Sequence, residues 1–129
     1  MDKIIFEKEI IVEKQHLDGN NHVNNVQFVS WVEEIAAGHW EAVKHLCPYT
    51  NDFFFLNEHN IQYKKQVFLS EKLLMRTYPI PPTGVKQPRK VEFYRDGELV
   101  VDSLTHWILI NHQTQKIVRL PQDWLDDFR

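Results

Sequence analysis

The sequence holds one cysteine, four glycines and no long apolar run, and each shortage excludes something. A lone thiol, Cys47, closes no disulfide within the chain and has no partners for a metal cluster, which fits a reducing compartment. The few glycines form no linker and no repeat, and a low-complexity or disordered majority is excluded. No stretch is long and apolar enough to span a bilayer. Acidic residues enter at Asp2 and Glu7, before any apolar core of signal-peptide length develops, so the expectation is a cytoplasmic chain with no membrane contact. An excess of positive charge is also missing. With 15 Lys and Arg against 18 Asp and Glu, the net charge is -3, and no basic field exists to hold a nucleic-acid backbone. Short basic stretches at Lys64-Lys65 and from Lys86 to Lys90 read either as solvated loop charge or as a landing place for an anionic substrate group.

What is present is 43% hydrophobic and 26% charged over 129 residues, enough for one domain, residues 1–129, with a real core. From Ile4 to Glu13, Phe6, Ile10 and Val12 alternate with Glu7, Glu9 and Glu13, which predicts a first strand. From Val26 to about Lys44, Phe28, Val32, Ile35, Ala36, His39 and Val43 follow helical spacing, and Trp31 and Trp40 widen the stripe. Asn24 followed by Gln27 has the form of a capping box at the start of that helix. Strand signals follow over residues 59–68, 72–78, 91–95 and 98–111, with Asp96-Gly97 marking a type I′ hairpin. The prolines between Tyr78 and Pro88 predict a loop, and Pro121 predicts one or two closing helical turns. The plan is α+β: one long helix on a curved antiparallel sheet of about five strands.

One stretch crowds polar residues beyond structural need. Asp18-Gly19-Asn20-Asn21-His22-Val23-Asn24-Asn25 carries one Asp, four Asn and one His at the positive end of a helix dipole. A capping loop needs one or two such residues, so the run reads either as a decorated cap or as an active site. The other histidines, His16, His39, His45, His59, His106 and His112, are scattered and form no His-Glu-x-x-His pattern, so no metal site is expected. Phe53-Phe54-Phe55-Leu56 reads as core by default, or as a wall of a ligand pocket.

The run from Asp18 to Val26 resembles the Asp-Val-Asn-Gln-His-Val-Asn-Asn-Val motif of plant acyl-carrier-protein thioesterases, and Trp31 and Glu34 continue the match. The wider plan resembles the 4-hydroxybenzoyl-CoA thioesterase branch of the hot-dog superfamily. That resemblance implies a hot-dog fold in which the sheet wraps one central helix. It implies hydrolysis of an acyl-CoA or acyl-acyl-carrier-protein thioester, with no cofactor. Asp18 would act as base or nucleophile, and Asn20 and His22 would orient carboxylate or water. Asn24 and Asn25 would meet the substrate at the helix start, where a backbone N–H polarises the carbonyl. The plant enzymes carry a Glu-Cys pair on the next strand. The matching segment here is Gln62-Tyr63-Lys64-Lys65-Gln66-Val67, which leaves Gln66 to position water and Glu58 as a nearby carboxylate of unassigned direction. The competing readings are a hot-dog dehydratase or hydratase and a non-catalytic acyl-thioester-binding protein. Open sheet edges and the family imply a homodimer or a tetramer built as a dimer of dimers.

Overall fold

Alternating apolar and charged side chains form the first strand, β1 (Phe6–Ile11), with Phe6 and Ile10 turned inward and Glu7 and Glu9 in solvent. The computed structural model describes residues 2–129. After a polar loop comes the long helix α1 (Asn25–Val43), then β2 (Phe53–Tyr63), β3 (Lys72–Pro79), β4 (Gln87–Arg95), β5 (Glu98–Ile110) and the two-residue β6 (Ile117–Val118). The strands make one antiparallel sheet in the order β1-β3-β4-β5-β2, with β6 added to β5. This is the α+β arrangement that the sequence predicts. The sheet stays open, with β1 and β2 at its edges.

The helix packs on the sheet by one face. Phe28, Trp31, Val32 and Ile35 meet Leu73, Met75, Val91, Phe93, Val100 and Val101 in the larger core cluster. Burying each such side chain contributes about 1.5 to 3 kcal/mol, which far exceeds the helix propensity of any single residue. The opposite face, with Val26, Glu33, Glu34 and Ala37, is exposed. A second cluster lies at the other end of α1, where Val43 and Leu109 pack on Leu120, Trp124, Leu125 and Phe128. The last three belong to a 3-10 turn over Trp124–Phe128, the short closing helix expected after Pro121. Among the described residues no helix is long and apolar enough to cross a membrane.

The hairpin between β4 and β5 turns on Asp96 at φ 50° and Gly97 at φ 81°, both positive as a type I′ turn requires. The proline-rich segment differs from its expected reading. Pro79, Gln87 and Pro88 lie inside strands, because β3 runs to Pro79 and β4 begins at Gln87. Pro88 has no N–H to give its neighbour, yet the side chain of Gln87 supplies one. Its Nε2 donates to the carbonyls of Ile80 and Pro88, each at 2.7 Å, while the Ile80 N–H bonds the Pro88 carbonyl at 3.1 Å. The strand thereby tolerates its proline.

The reading of Gln66 as a strand residue is also corrected. β2 ends at Tyr63, where the N–H groups of Lys64 and Lys65 both bond the Val100 carbonyl, at 2.8 and 3.1 Å. Gln66 therefore lies in the following loop. The same strand starts earlier than expected and takes in the phenylalanine run. Phe54 is half-buried against the second core cluster, edge-on to Trp40 at 5.0 Å, but Phe53 and Phe55 are 44% and 41% exposed. Alternate residues of a strand point to opposite faces, and β2 has the helix on one face only.

Candidate active site at the start of the helix

The polar loop is held by its own backbone. Asp18 donates its N–H to the His22 carbonyl at 2.8 Å, and the Asn21 N–H returns to the Asp18 carbonyl at 3.2 Å. Asn21 takes φ 66°, a left-handed conformation that asparagine tolerates better than most residues. The loop is tied to the body at Val23, whose N–H bonds the Val67 carbonyl at 2.8 Å, and at Asn24, whose N–H bonds the His16 carbonyl at 2.9 Å. Val23 is buried and anchors the loop in the core beside Val67.

Within this frame Asp18 is the focus. Its Oδ1 accepts the Asn20 N–H at 2.8 Å and the His22 N–H at 3.3 Å, and its Oδ2 lies 3.4 Å from the His22 Nδ1. The Asn20 N–H holds the carboxyl below its ordinary value of 3.8, partial burial works against it, and the His22 contacts add to the lowering. Asp18 is thus a carboxylate at neutral pH, with 30% of its side chain in reach of solvent. The His22 ring stands edge-on to Phe68 at 5.9 Å, which fixes its plane beside the carboxylate.

The helix start adds a donor. Asn24 is the N-cap, and its side chain accepts from the Val26 N–H at 2.9 Å. The expected capping box does not form in that shape: the Gln27 N–H bonds the Asn24 backbone carbonyl at 2.9 Å. The N–H of Asn25 has no partner among the described residues, and it stands at the positive end of a helix 19 residues long. Such a donor can polarise a carbonyl.

The sequence-predicted residues therefore separate. Asp18, His22 and Asn24 share one bonded loop. Asn20 joins it through its backbone, while its side chain is exposed and unbonded among the described residues. Asn25 is exposed at the helix start, where the Tyr63 hydroxyl donates to its carbonyl at 3.2 Å. Gln66 is exposed beside Val67, and its carbonyl accepts from Arg95 at 2.9 Å. Glu58 is engaged elsewhere: it sits at the β2 bulge opposite His106 and pairs with Lys86 at 3.1 Å, which lowers its pKa. Sequence reasoning missed Phe68 and Tyr63, whose only signal was their place in a strand-like run.

The chain is similar to known thioesterases in sequence and in fold. The chain is 27% identical over 120 residues to the long-chain acyl-CoA thioesterase FadM of Escherichia coli, covering 87% of this chain and 88% of that protein. Its fold is that of the crystal structure of the probable thioesterase YbaW from Escherichia coli, at TM-score 0.80 and 23% identity over 94% of each chain. It is also that of an acyl-ACP thioesterase from Bacteroides thetaiotaomicron, at TM-score 0.82 and 18% identity, covering 98% of this chain and 54% of that one. Residues 12–128 match the Thioesterase-like superfamily, and the chain belongs to that family.

Proposed function

We propose that the chain hydrolyses acyl-CoA or acyl-acyl-carrier-protein thioesters with Asp18 as the reacting carboxylate. The observation that carries this reading is an ionised, partly exposed Asp18 on the loop that leads into the free Asn25 N–H. The thioester carbonyl oxygen accepts from the Asn25 N–H, and a water on the Asp18 side attacks the carbonyl carbon. Asp18 takes the water's proton, the C–S bond breaks, and the proton passes to the leaving thiolate directly or through His22. Direct attack by Asp18, followed by hydrolysis of the resulting anhydride, uses the same groups. Asn20 serves through its N–H, Asn24 sets the helix start, and the open side chain of Gln66 steadies water or substrate.

The active form we propose is a homodimer, or a tetramer made of two such dimers. β2 is an 11-residue open edge with Phe53, Phe55 and Tyr63 exposed, and a second copy would cover it. A cytoplasmic site of action fits the unpaired, buried Cys47.

The test is a thiol-release screen over acyl-CoA chain lengths, aromatic acyl-CoAs and acyl carrier proteins, run beside Asp18→Asn. Release by the unsubstituted chain and a loss of about a hundredfold or more in the variant is expected. Full activity of Asp18→Asn would rule the mechanism out. Sedimentation of a stable monomer would rule out the dimer.

A further inference from the structure

A cavity of about 430 Å³ opens at the far end of α1 from Asp18. Trp40, Phe54, Trp107 and Trp124 give it apolar walls, and Gln87 and Arg89 line it from β4. Trp40 follows Asn25 by 15 residues, which places it about 22 Å along the helix at the usual rise of 1.5 Å per residue. Within one chain this is a separate place from the catalytic loop.

Arg89 is unusual among the arginines of the sheet. Arg76, Arg95, Lys86 and Lys90 each face a carboxylate: Glu7, Glu71, Glu58 and Asp102. Arg89 faces none within ion-pair distance among the described residues. Its NH1 group donates to the Nδ1 of His39 and to the Thr77 hydroxyl oxygen, each at 2.9 Å. Both partners are neutral at neutral pH, since burial and the Arg89 charge press His39 down to about 4. The His39 Nε2 donates to the Lys3 carbonyl at 2.7 Å, and the Thr77 hydroxyl donates to the Lys90 carbonyl at 2.8 Å, so the anchor is fixed at both ends. The remaining N–H groups of the guanidinium have no hydrogen-bond partner among the described residues, on a side chain that lines the cavity. Burial lowers Arg89 to about 10, which still leaves it charged.

The acids that line the same cavity are engaged elsewhere. Asp52 accepts from the His112 Nδ1 at 2.7 Å and from its N–H at 3.0 Å, and Glu41 pairs with Lys44 at 2.9 Å. Arg89 is half-buried and has no counter-ion among the described residues, and a planar guanidinium fork matches a carboxylate with two parallel bonds. The volume falls in the range of small-molecule pockets, and the aromatic walls suit an apolar body more than an inorganic ion.

We propose that this cavity binds an organic carboxylate, its charge received by the free N–H groups of Arg89 and its apolar body lying against Trp40, Phe54 and Trp107. The carboxylate has two sources, a free acid or the far end of an acyl group still bound as thioester. The second source rests on the proposed hydrolysis.

Calorimetric titration of the whole chain separates the two. Phenylacetate is compared with the neutral phenylacetamide, and the long-chain hexadecanedioyl-CoA with palmitoyl-CoA, on the unsubstituted chain, Arg89→Met and Arg89→Lys. The expected result is a preference of about tenfold or more for the charged member of at least one pair, the scale of a charge-assisted hydrogen bond. That preference is lost in Arg89→Met and partly kept in Arg89→Lys. Preference within the first pair identifies a free acid, and preference within the second pair alone identifies a thioester-borne carboxylate. Equal binding within both pairs on the unsubstituted chain overturns the proposal, even if the variants fail to fold. Because binding is read directly, a chain that releases no thiol from any thioester defeats the proposed function and leaves this test standing.

Discussion

The His39 imidazole accepts a hydrogen bond from the Arg89 guanidinium on one side and donates to the Lys3 carbonyl on the other, at 2.9 and 2.7 Å. This ties the helix to β4 and to the segment before β1 with one ring that must stay neutral. Protonation would set an imidazolium against Arg89 in a buried place. His39 titrates near 4 in the folded chain against an ordinary value of 6.5. Between those values the unfolded chain binds a proton that the folded chain does not, so stability rises with pH there. The contribution is full above about pH 6.5 and is lost as pH falls toward about 4. Burial lowers His59 as well, which adds slope in the same direction. Urea unfolding midpoints should fall on acidification across this window, and less steeply in His39→Gln, which can keep both hydrogen bonds without titrating. An equal slope in the variant would remove His39 from the account.

A second prediction concerns the donor that rescues Pro88. Gln87 uses its Nε2 on the Ile80 and Pro88 carbonyls, which leaves its Oε1 to accept from the Trp124 indole N–H at 2.7 Å in a buried place. Trp124→Phe keeps much of the ring and strands that oxygen. The cost expected is about 1 to 3 kcal/mol, the penalty for a buried unsatisfied acceptor. Urea denaturation of variant and unsubstituted chain measures it. A loss below about half a kcal/mol would mean that water or a rotated amide replaces the indole.

The helix cap supplies a third prediction. Asn24 accepts from the Val26 N–H at 2.9 Å, so Asn24→Ala should cost about 1 kcal/mol. Asn24→Asp should recover the bond and add a favourable charge at the helix N-terminus. Thermal melts at low and high salt separate the two contributions, because only the charge is screened.

These cases show what a sequence can carry. The long helix, the Asp96-Gly97 hairpin and the turn-rich loop before α1 were legible because each is written in neighbours: a periodic stripe, a dipeptide needing positive φ, a cluster of Asx residues. Asp18 and His22 could be paired for the same reason, being four positions apart. The Arg89-His39-Thr77 network was not legible, since 50 residues separate Arg89 from His39 and only the packing of α1 on β4 joins them. Pro88 inside a strand was hidden because its substitute donor is a side chain. The exposed faces of Phe53 and Phe55 depend on β2 being an edge, which is a property of strand order rather than of the run itself.

The last prediction separates the side chain of Asn20 from its backbone. The plant-type motif invites a role for the amide, but the Asn20 N–H is what reaches Asp18, at 2.8 Å, and it is the chief cause holding that carboxyl below 3.8. A reaction that needs the carboxylate persists as pH falls until that lowered value is reached, so the acid limb of kcat/KM lies below the ordinary carboxylate range. Asn20→Ala keeps the N–H and should leave the limb where it is. Asn20→Pro removes the N–H and should move the limb upward toward the ordinary value, with thermal melts confirming that the loop still folds. Thiol release measured from about pH 2.5 to about pH 8 reads all three proteins. Should Asn20→Ala shift the limb as far as Asn20→Pro, the amide side chain rather than the backbone governs Asp18.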